Sequence, residues 1–479
     1  MSHPEPEPVV PAPGPRLSIP IYAGYGVGQV GGQILRDTPT LILPIYMTTV
    51  LGLEPALAGL SIMIAKFWVV LADPIAGIVS DRTQTRWGRR RPFILVGGLI
   101  AALAFVLMFV TPVLERQPTL FLYATAVYLV LNTGFSMFSV PYLTMASEMS
   151  DSPDERTTLM SFRNSCLAIG LILGGAVAPK IVAFVTQELG GTPKEGYRWM
   201  GIAMGAVIAA SSLGAFFGTA RAPSRAGTEH ALPLGEQLRI AWANKPFVVL
   251  IAANIVQYIS AGIGYAGGFF FMAYVLGLGM NVFNVIPIWM IIISVTAIVT
   301  MPLLVRASVR FGKMPVYKWS LVLYAISIQA YFLADAASLW IVWLVAVAIG
   351  IFNNGFILMS FSMLTDTVNY DRMRSGISRE GALSAIYSAV DKVGNAVGAA
   401  IFLAVLSLVG FVKSTDGSLL PQTETVLRGI QWAYVVAPAV LHVSSILILN
   451  RYRLTAKDLG VPAADRVGDG RLAEVREVE

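Results

Sequence analysis

Charge is what this chain of 479 residues has least of: Asp, Glu, Lys and Arg together make up 13% of it, while hydrophobic residues make up 56%. That is about half the charged share of an average soluble protein. A water-soluble domain could not cover itself with so little polar surface. Cysteine is nearly absent, and a lone Cys166 inside an apolar segment excludes an intramolecular disulfide and offers no redox motif. Histidine is scarce too. His3, His230 and His442 stand far apart, so no cluster has metal-ligand spacing, and no metal or organic cofactor is expected. The stretch from Met1 to Pro20 is rich in proline with acidic residues and lacks the basic-then-apolar order of a secretory signal. No nucleotide-binding loop and no nucleophile with a base at catalytic spacing can be drawn, so no enzymatic activity is expected.

What is present is apolar sequence in long runs. Mean hydropathy is +0.68, and many stretches exceed the roughly 20 residues needed to cross a bilayer as a helix. They lack the alternation of barrel strands. The expected fold is an all-α integral membrane protein with twelve transmembrane helices. Its expected parts are a disordered tail over 1–19, a six-helix bundle over 20–219, a linker over 220–244, a second six-helix bundle over 245–455 and a second tail over 456–479. The formal net charge is +6, but the basic residues sit in short loops between spans: Arg82 to Arg91, Arg221 to Lys245, Arg306 to Lys313 and Arg372 to Arg379. Orientation explains them, because loops rich in Lys and Arg stay on the cytoplasmic side of a membrane. Both tails are then cytoplasmic, and no nucleic-acid partner is expected.

The chain is organised around the stretch from Asp73 to Phe93. Asp73-Pro74 lies in an apolar run that ends at Ser80-Asp81; five arginines follow within ten residues (82, 86, 89, 90 and 91), and a second apolar run begins at Pro92-Phe93. Features of the first half return in the second at nearly one offset. Trp87-Gly88-Arg89 answers to Phe311-Gly312-Lys313, Gly170 and Gly174 to Gly394 and Gly398, and Val50-Leu51-Gly52-Leu53 to Val275-Leu276-Gly277-Leu278. A duplicated six-helix unit about a central linker is the plan of a major facilitator transporter. Asp73-Pro74, Gly77, Asp81-Arg82 and Arg86 to Phe93 resemble the loop signature of the glycoside-pentoside-hexuronide cation symporters of that superfamily. The resemblance implies a secondary active transporter that takes a sugar, glycoside or related polyhydroxylated solute in symport by alternating access. It also implies a lipid bilayer and a small-molecule solute as partners, a monomer, and residence in the inner (plasma) membrane.

Ionisable groups at membrane depth are costly, which makes them the candidates for chemistry. Lys66 and Asp73 share one face of the second span, two turns and about 10.5 Å of rise apart. Asp73 matches the aspartate before proline that the resemblance assigns to the cation site. Val69 stands one turn earlier and Ser139 takes the place of an acid in the fourth span, so few oxygens accompany Asp73. A hard cation needs several, whereas one carboxylate can carry a proton. The expected coupling ion is H+, with Na+ or uncoupled facilitation as the alternatives. Lys392, deep in the eleventh span beside Asp391, is expected to release a partner carboxylate such as Asp73 when that carboxylate is protonated.

Arg36 and Asp37 point about 100° apart on a helix, so each is expected to reach another helix or the solute rather than its neighbour. Gln33, Lys66, Asn132, Arg163, Gln257 and Asn353 complete the expected solute-binding set. Plainer roles compete: a structural ion pair for Lys66, a gate for Arg36 with Asp37, and a snorkelling position for Arg163. Tyr25, Tyr142, Tyr258, Tyr265 and Trp68 offer faces for a sugar, although packing is the commoner use of aromatics in membrane helices. By resemblance, Asp81, Arg82, Arg86 and Arg89 form a cytoplasmic latch, with Glu148, Asp366 and Arg379 as its matching network. Gly26-Val27-Gly28-Gln29-Val30-Gly31 has the letters of a dinucleotide fingerprint, but no strand precedes it, and close helix packing is the expected use. Two alternatives stand beside the sugar reading: an amphipathic or lysolipid-like solute, and a receptor or assembly factor that moves nothing.

Overall fold

The structure, a computed structural model, describes residues 17–110, 112, 114, 116–150, 152–223, 234–375 and 379–454. Apart from residues 17–19, the two expected tails lie outside them. Secondary structure among the described residues is helical throughout. The first six long helices are α1 (Ile19–Thr49), α2 (Pro55–Arg82), α3 (Arg91–Phe109), α4 (Gln117–Met149), α5 (Glu155–Glu188) and α6 (Pro193–Gly218). A short helix, α7 (Leu234–Ala243), lies inside the expected linker. Then come α8 (Lys245–Val275), α9 (Val282–Phe311), α10 (Lys313–Ile328), α11 (Leu339–Ser375), α12 (Glu380–Leu408) and α13 (Glu424–Leu449). Among the described residues, ten helices are long and apolar enough to cross a membrane. Two others, α1 with its Gln29, Gln33, Arg36 and Asp37 and α10 with its two lysines, are outside those ten.

Local chemistry sets the helix ends. Proline occupies the first turn of α2, α3, α4, α6 and α8, where its missing N–H costs nothing. Thr192 and Glu195 close a capping box on α6, while Asn244 and Thr423 accept the N–H groups of Phe247 and Val426.

Gly170 and Gly398, two of the recurrent glycines, lie at close helix crossings. A Cβ on Gly170 would strike Val30 and Gln33 of α1, and a Cβ on Gly398 would strike Ile259 and Gly262 of α8. Backbones therefore touch there, as small residues allow in membrane helices. Gly398→Val is expected to cost about 1–3 kcal/mol by overpacking, read as a lower thermal unfolding midpoint in detergent. Gly28 and Gly31 act likewise, set against Tyr142 and Ser211, so the apparent dinucleotide fingerprint is a packing surface.

In the first set of helices α1 packs on α5 and α6, α2 on α4, and α3 on α4 and α6. In the second, α8 packs on α12 and α13, α9 on α11, and α10 on α11 and α13. The sets meet along α2 with α12, α1 with α8 and α5 with α9. Call the end with the Arg82 to Arg91 loop the basic end. At the opposite, far end the N–H groups of Ser414 and Gly417 donate to the Thr48 and Thr49 carbonyls at 3.2 and 2.9 Å. Glu54 holds Ser407 Oγ and Lys413 Nζ, each at 3.3 Å, and Lys180 Nζ reaches Asn284 at 2.6 Å. Between described residues, the hydrogen bonds and ion pairs that join the sets run from mid-depth to the far end. Those at the basic end stay within one set. The described bonds between the sets thus tie them at mid-depth and at the far end.

Candidate functional site

At mid-depth, where the sets part, ionisable side chains from α1, α2 and α12 converge. Lys392 Nζ of α12 makes an ion pair with Asp73 Oδ2 of α2. Both side chains are about a quarter exposed, at 25% and 22%, so water reaches the pair. The other oxygen, Asp73 Oδ1, is buried with no hydrogen-bond partner among the described residues. One residue earlier on α12, Asp391 Oδ2 lies 3.8 Å from the Arg36 guanidinium of α1. Arg36 Nε also comes to 3.8 Å of Asp37, so the neighbours expected to diverge share a contact; the long arginine arm covers the 100° between them. Arg36 is 61% exposed although it sits midway along its helix, which requires a wet cavity there. An ion pair at that distance and exposure contributes roughly 1 kcal/mol.

A polar chain runs down α1 from this cluster. Gln33 Nε2 donates to Asp37 at 2.5 Å, Gln29 Nε2 to Gln33 at 3.3 Å, and Arg163 Nε of α5 to Gln29 at 3.0 Å. Lys66 Nζ stands 5.6 Å over the Tyr128 ring, with no carboxylate at ion-pair distance among the described residues. Asp391 is anchored by Asn395 Nδ2 at 2.8 Å. Neither Asp391 nor Asn395 was assigned from the sequence, although an Asp-Lys pair in an apolar run with Asn one turn on was the available signal.

Other expected solute ligands lie elsewhere. Asn132 is buried and donates to the Tyr128 carbonyl of its own helix at 2.8 Å. Gln257 is 3% exposed, held by Tyr317 OH at 3.0 Å and Ser445 Oγ at 3.2 Å inside the second set. Its polarity is spent on helix packing, because a buried amide must find partners and α10 and α13 supply them. Asn353 is half-buried. Tyr25 and Tyr142 stack on each other at 4.7 Å in the interior of the first set, and Trp68 donates to Thr133 of α4 at 2.9 Å. Tyr258 bonds Tyr387 at 3.0 Å, and Tyr265, 43% exposed, is left as an aromatic face near Arg36.

A sequence model of the family described as MFS/sugar transport protein matches residues 24–456. The chain belongs to that family. The putative glycoside/cation symporter YagG of Escherichia coli (strain K12) is 24% identical over 451 residues, which cover 94% of this chain and 95% of that one. The glucuronide carrier protein homolog of the same organism is 25% identical over 444 residues, covering 92% and 94%. In fold, the chain is similar to a D-xylose-proton symporter, with a TM-score of 0.62, 15% identity and coverage of 92% and 98%. Membership agrees with the resemblance carried by Asp73 to Phe93. It places the protein among multi-pass membrane transporters of small solutes, which is not an enzyme class.

In this MFS/sugar transport family member the basic end is held by charge. Glu148, 5% exposed, takes Arg89 at 2.7 Å and Arg90 at 2.9 Å; Arg90 also pairs with Asp81 and donates to Ser80 Oγ at 2.6 Å. Arg86 stacks on Trp87, and Arg82 is exposed in the last turn of α2. Asp366 pairs instead with Lys313 at 2.7 Å and Arg379 with Asp371 at 3.9 Å. The single network expected for Glu148, Asp366 and Arg379 is thus three separate clusters, Glu148 with Arg89 and Arg90 in the first set and the Asp366–Lys313 and Arg379–Asp371 pairs in the second. Glu148→Gln leaves two guanidinium groups short of their buried counter-charge. It is expected to destabilise the protein by about 3 kcal/mol, measured as a lower unfolding midpoint.

Proposed function

We infer that this transporter carries a sugar, glycoside or related polyhydroxylated solute together with a proton, by alternating access to the mid-depth cavity. The observation that carries the reading is the Lys392 to Asp73 ion pair. It ties the two sets together at the cavity, and a proton on Asp73 cancels it. Asp73 has one free oxygen and Val69 one turn before it, a poor cage for sodium and a sufficient proton acceptor. A sugar would use the exposed Arg36 and the partly buried Lys66 and Arg163 as hydrogen-bond partners, backed by the buried Gln33, with Tyr265 as a face.

The topology we assign is twelve crossings in two six-helix repeats, supported by the matching partners of α1 and α8, and of α3 and α10. The basic end is then cytoplasmic, with both tails beside it, and the membrane is the inner one. We assign a monomer that needs no metal or organic cofactor and has no nucleic-acid partner. The names of the relatives, a glycoside/cation symporter and a glucuronide carrier homolog, favour a glycoside. One observation favours an amphipathic solute instead: toward the basic end α9 exposes the apolar Ile298, Val299, Leu303 and Val305 on more than one face.

Purified protein in sealed liposomes with an internal pH dye decides between them, using a panel of mono- and disaccharides and glycosides with and without sodium. Sugar-dependent proton entry without sodium is the expected result. No proton movement with any sugar, in either salt, would sink the sugar-proton reading and leave the amphipathic one.

A further inference from the structure

Adjacent residues of α12 make two ion pairs of opposite polarity across the joint between the sets: Lys392 with Asp73 of α2, and Asp391 with Arg36 of α1. We propose that the Arg36 to Asp391 pair is a second lock, opened by solute, so that the carrier turns over fastest when proton and solute are both bound. This rests on the proton-symport reading above. Asp391 is a positioning residue in this scheme, acting through Arg36.

A proton arriving on Asp73 removes the charge that holds Lys392. It leaves the other pair intact, since neither Arg36 nor Asp391 bonds Asp73. The sets therefore stay tied at mid-depth, and a protonated carrier without solute swings and leaks its proton less often. Arg36 is the partner that solute can reach, being 61% exposed, whereas Asp391 is 27% exposed and anchored to Asn395. Asp37, also 3.8 Å from Arg36, belongs to α1 itself. It holds the guanidinium in place without tying the sets. A solute oxygen that takes over Arg36 therefore opens the cross-set pair alone. The charged and titratable groups around the joint are Lys392, Asp391 and Tyr387 of α12, Lys66 of α2, Arg36 and Asp37 of α1, Tyr258 and Tyr265 of α8 and, beneath Lys66, Tyr128 of α4.

Asp391→Asn keeps an oxygen for Asn395 Nδ2 and removes only the charge that holds Arg36. The test needs no knowledge of the solute. Leu403, fully buried against Gly59 where α12 meets α2 toward the far end, is replaced by cysteine in a Cys166→Ser background. A membrane-impermeant maleimide is then applied from the far side of proteoliposomes, without solute, at neutral pH and after acidification. With Asp391 intact, labelling should be slow under both conditions. With Asp391→Asn it should stay slow at neutral pH and rise roughly fivefold on acidification, as much as a pair of that distance and exposure allows. Arg36→Gln breaks the same pair from the other side and should behave alike, which keeps the test alive where Asp391→Asn does not fold. Slow labelling after acidification in both variants overturns the second lock. Fast labelling of the variants at neutral pH overturns it too, because Asp73 with Lys392 would then hold nothing. Failure of the symport reading has its own signature, a wild-type protein that moves no protons with any sugar in the dye assay.

Discussion

Asp73→Asn is expected to abolish uphill accumulation of solute driven by a proton gradient, a loss of at least about a hundredfold, or roughly 2.7 kcal/mol of coupling. Exchange of labelled for unlabelled solute at equal pH should continue. The two outcomes separate because an amide has the shape of a protonated carboxyl and can neither take up nor release a proton. The site is then frozen in its loaded form, which swings with solute in both directions but cannot return empty with a charged Asp73 to re-engage Lys392. Counterflow beside gradient-driven uptake in proteoliposomes reads both at once. Accumulation that survives the substitution would move the coupling role to another carboxylate of the cavity, Asp37 or Asp391. Loss of exchange as well would mean that Asp73 holds the cavity together rather than carrying the proton.

The second large effect is expected at the far end, from Gly417→Val. Gly417 adopts φ of +86°, and a Cβ there would collide with Pro193 of α6. The left-handed backbone costs a branched residue about 1–2 kcal/mol, and the collision adds about 1–3 kcal/mol. Both penalties fall on the closed far end, where Gly417 and Ser414 cap the last carbonyls of α1. Hydrogen exchange should show it directly: amides of residues 411–418 should lose roughly tenfold to a thousandfold of their protection, with the transmembrane core unchanged. Unaltered protection would mean that the clasp contributes little to closure.

Acid should not open that clasp in the working range of pH. The Ser414 and Ser418 hydroxyls and the Ser418 N–H hold the Asp416 carboxyl well below the usual carboxylate range. A depressed carboxylate contributes above its unfolded value and loses that contribution only as pH falls through the lowered one. Between about pH 5 and 8 the turn is therefore constant. Protection of residues 411–418 measured across that range should be flat.

The membrane class and the family were legible in the chain because each rests on short-range chemistry. Apolar runs longer than a bilayer is thick leave a helix as the remaining solution, and Asp73 to Phe93 carries its signature in consecutive residues. Gly28 and Gly31 also announced close packing, since a missing Cβ has few other uses inside a helix. The partners of polar groups were not legible. Gln33 and Gln257 are the same side chain in similar apolar surroundings, yet one joins the cavity chain through Asp37 and the other is used up between Tyr317 and Ser445. Helix rotation decides which, and rotation is set by packing over the whole bundle.

By itself, then, the sequence determined that this protein crosses a membrane many times as helices, that it belongs with sugar transport proteins, and where its costly charges lie. Only the tertiary structure decided which charges meet. It put Lys392 on Asp73, paired Asp391 with Arg36, divided the basic-end network between the two sets and closed the far end. Residues far apart in the chain come within reach only when two helix bundles dock, and that docking is set by packing over the whole bundle rather than by any local stretch.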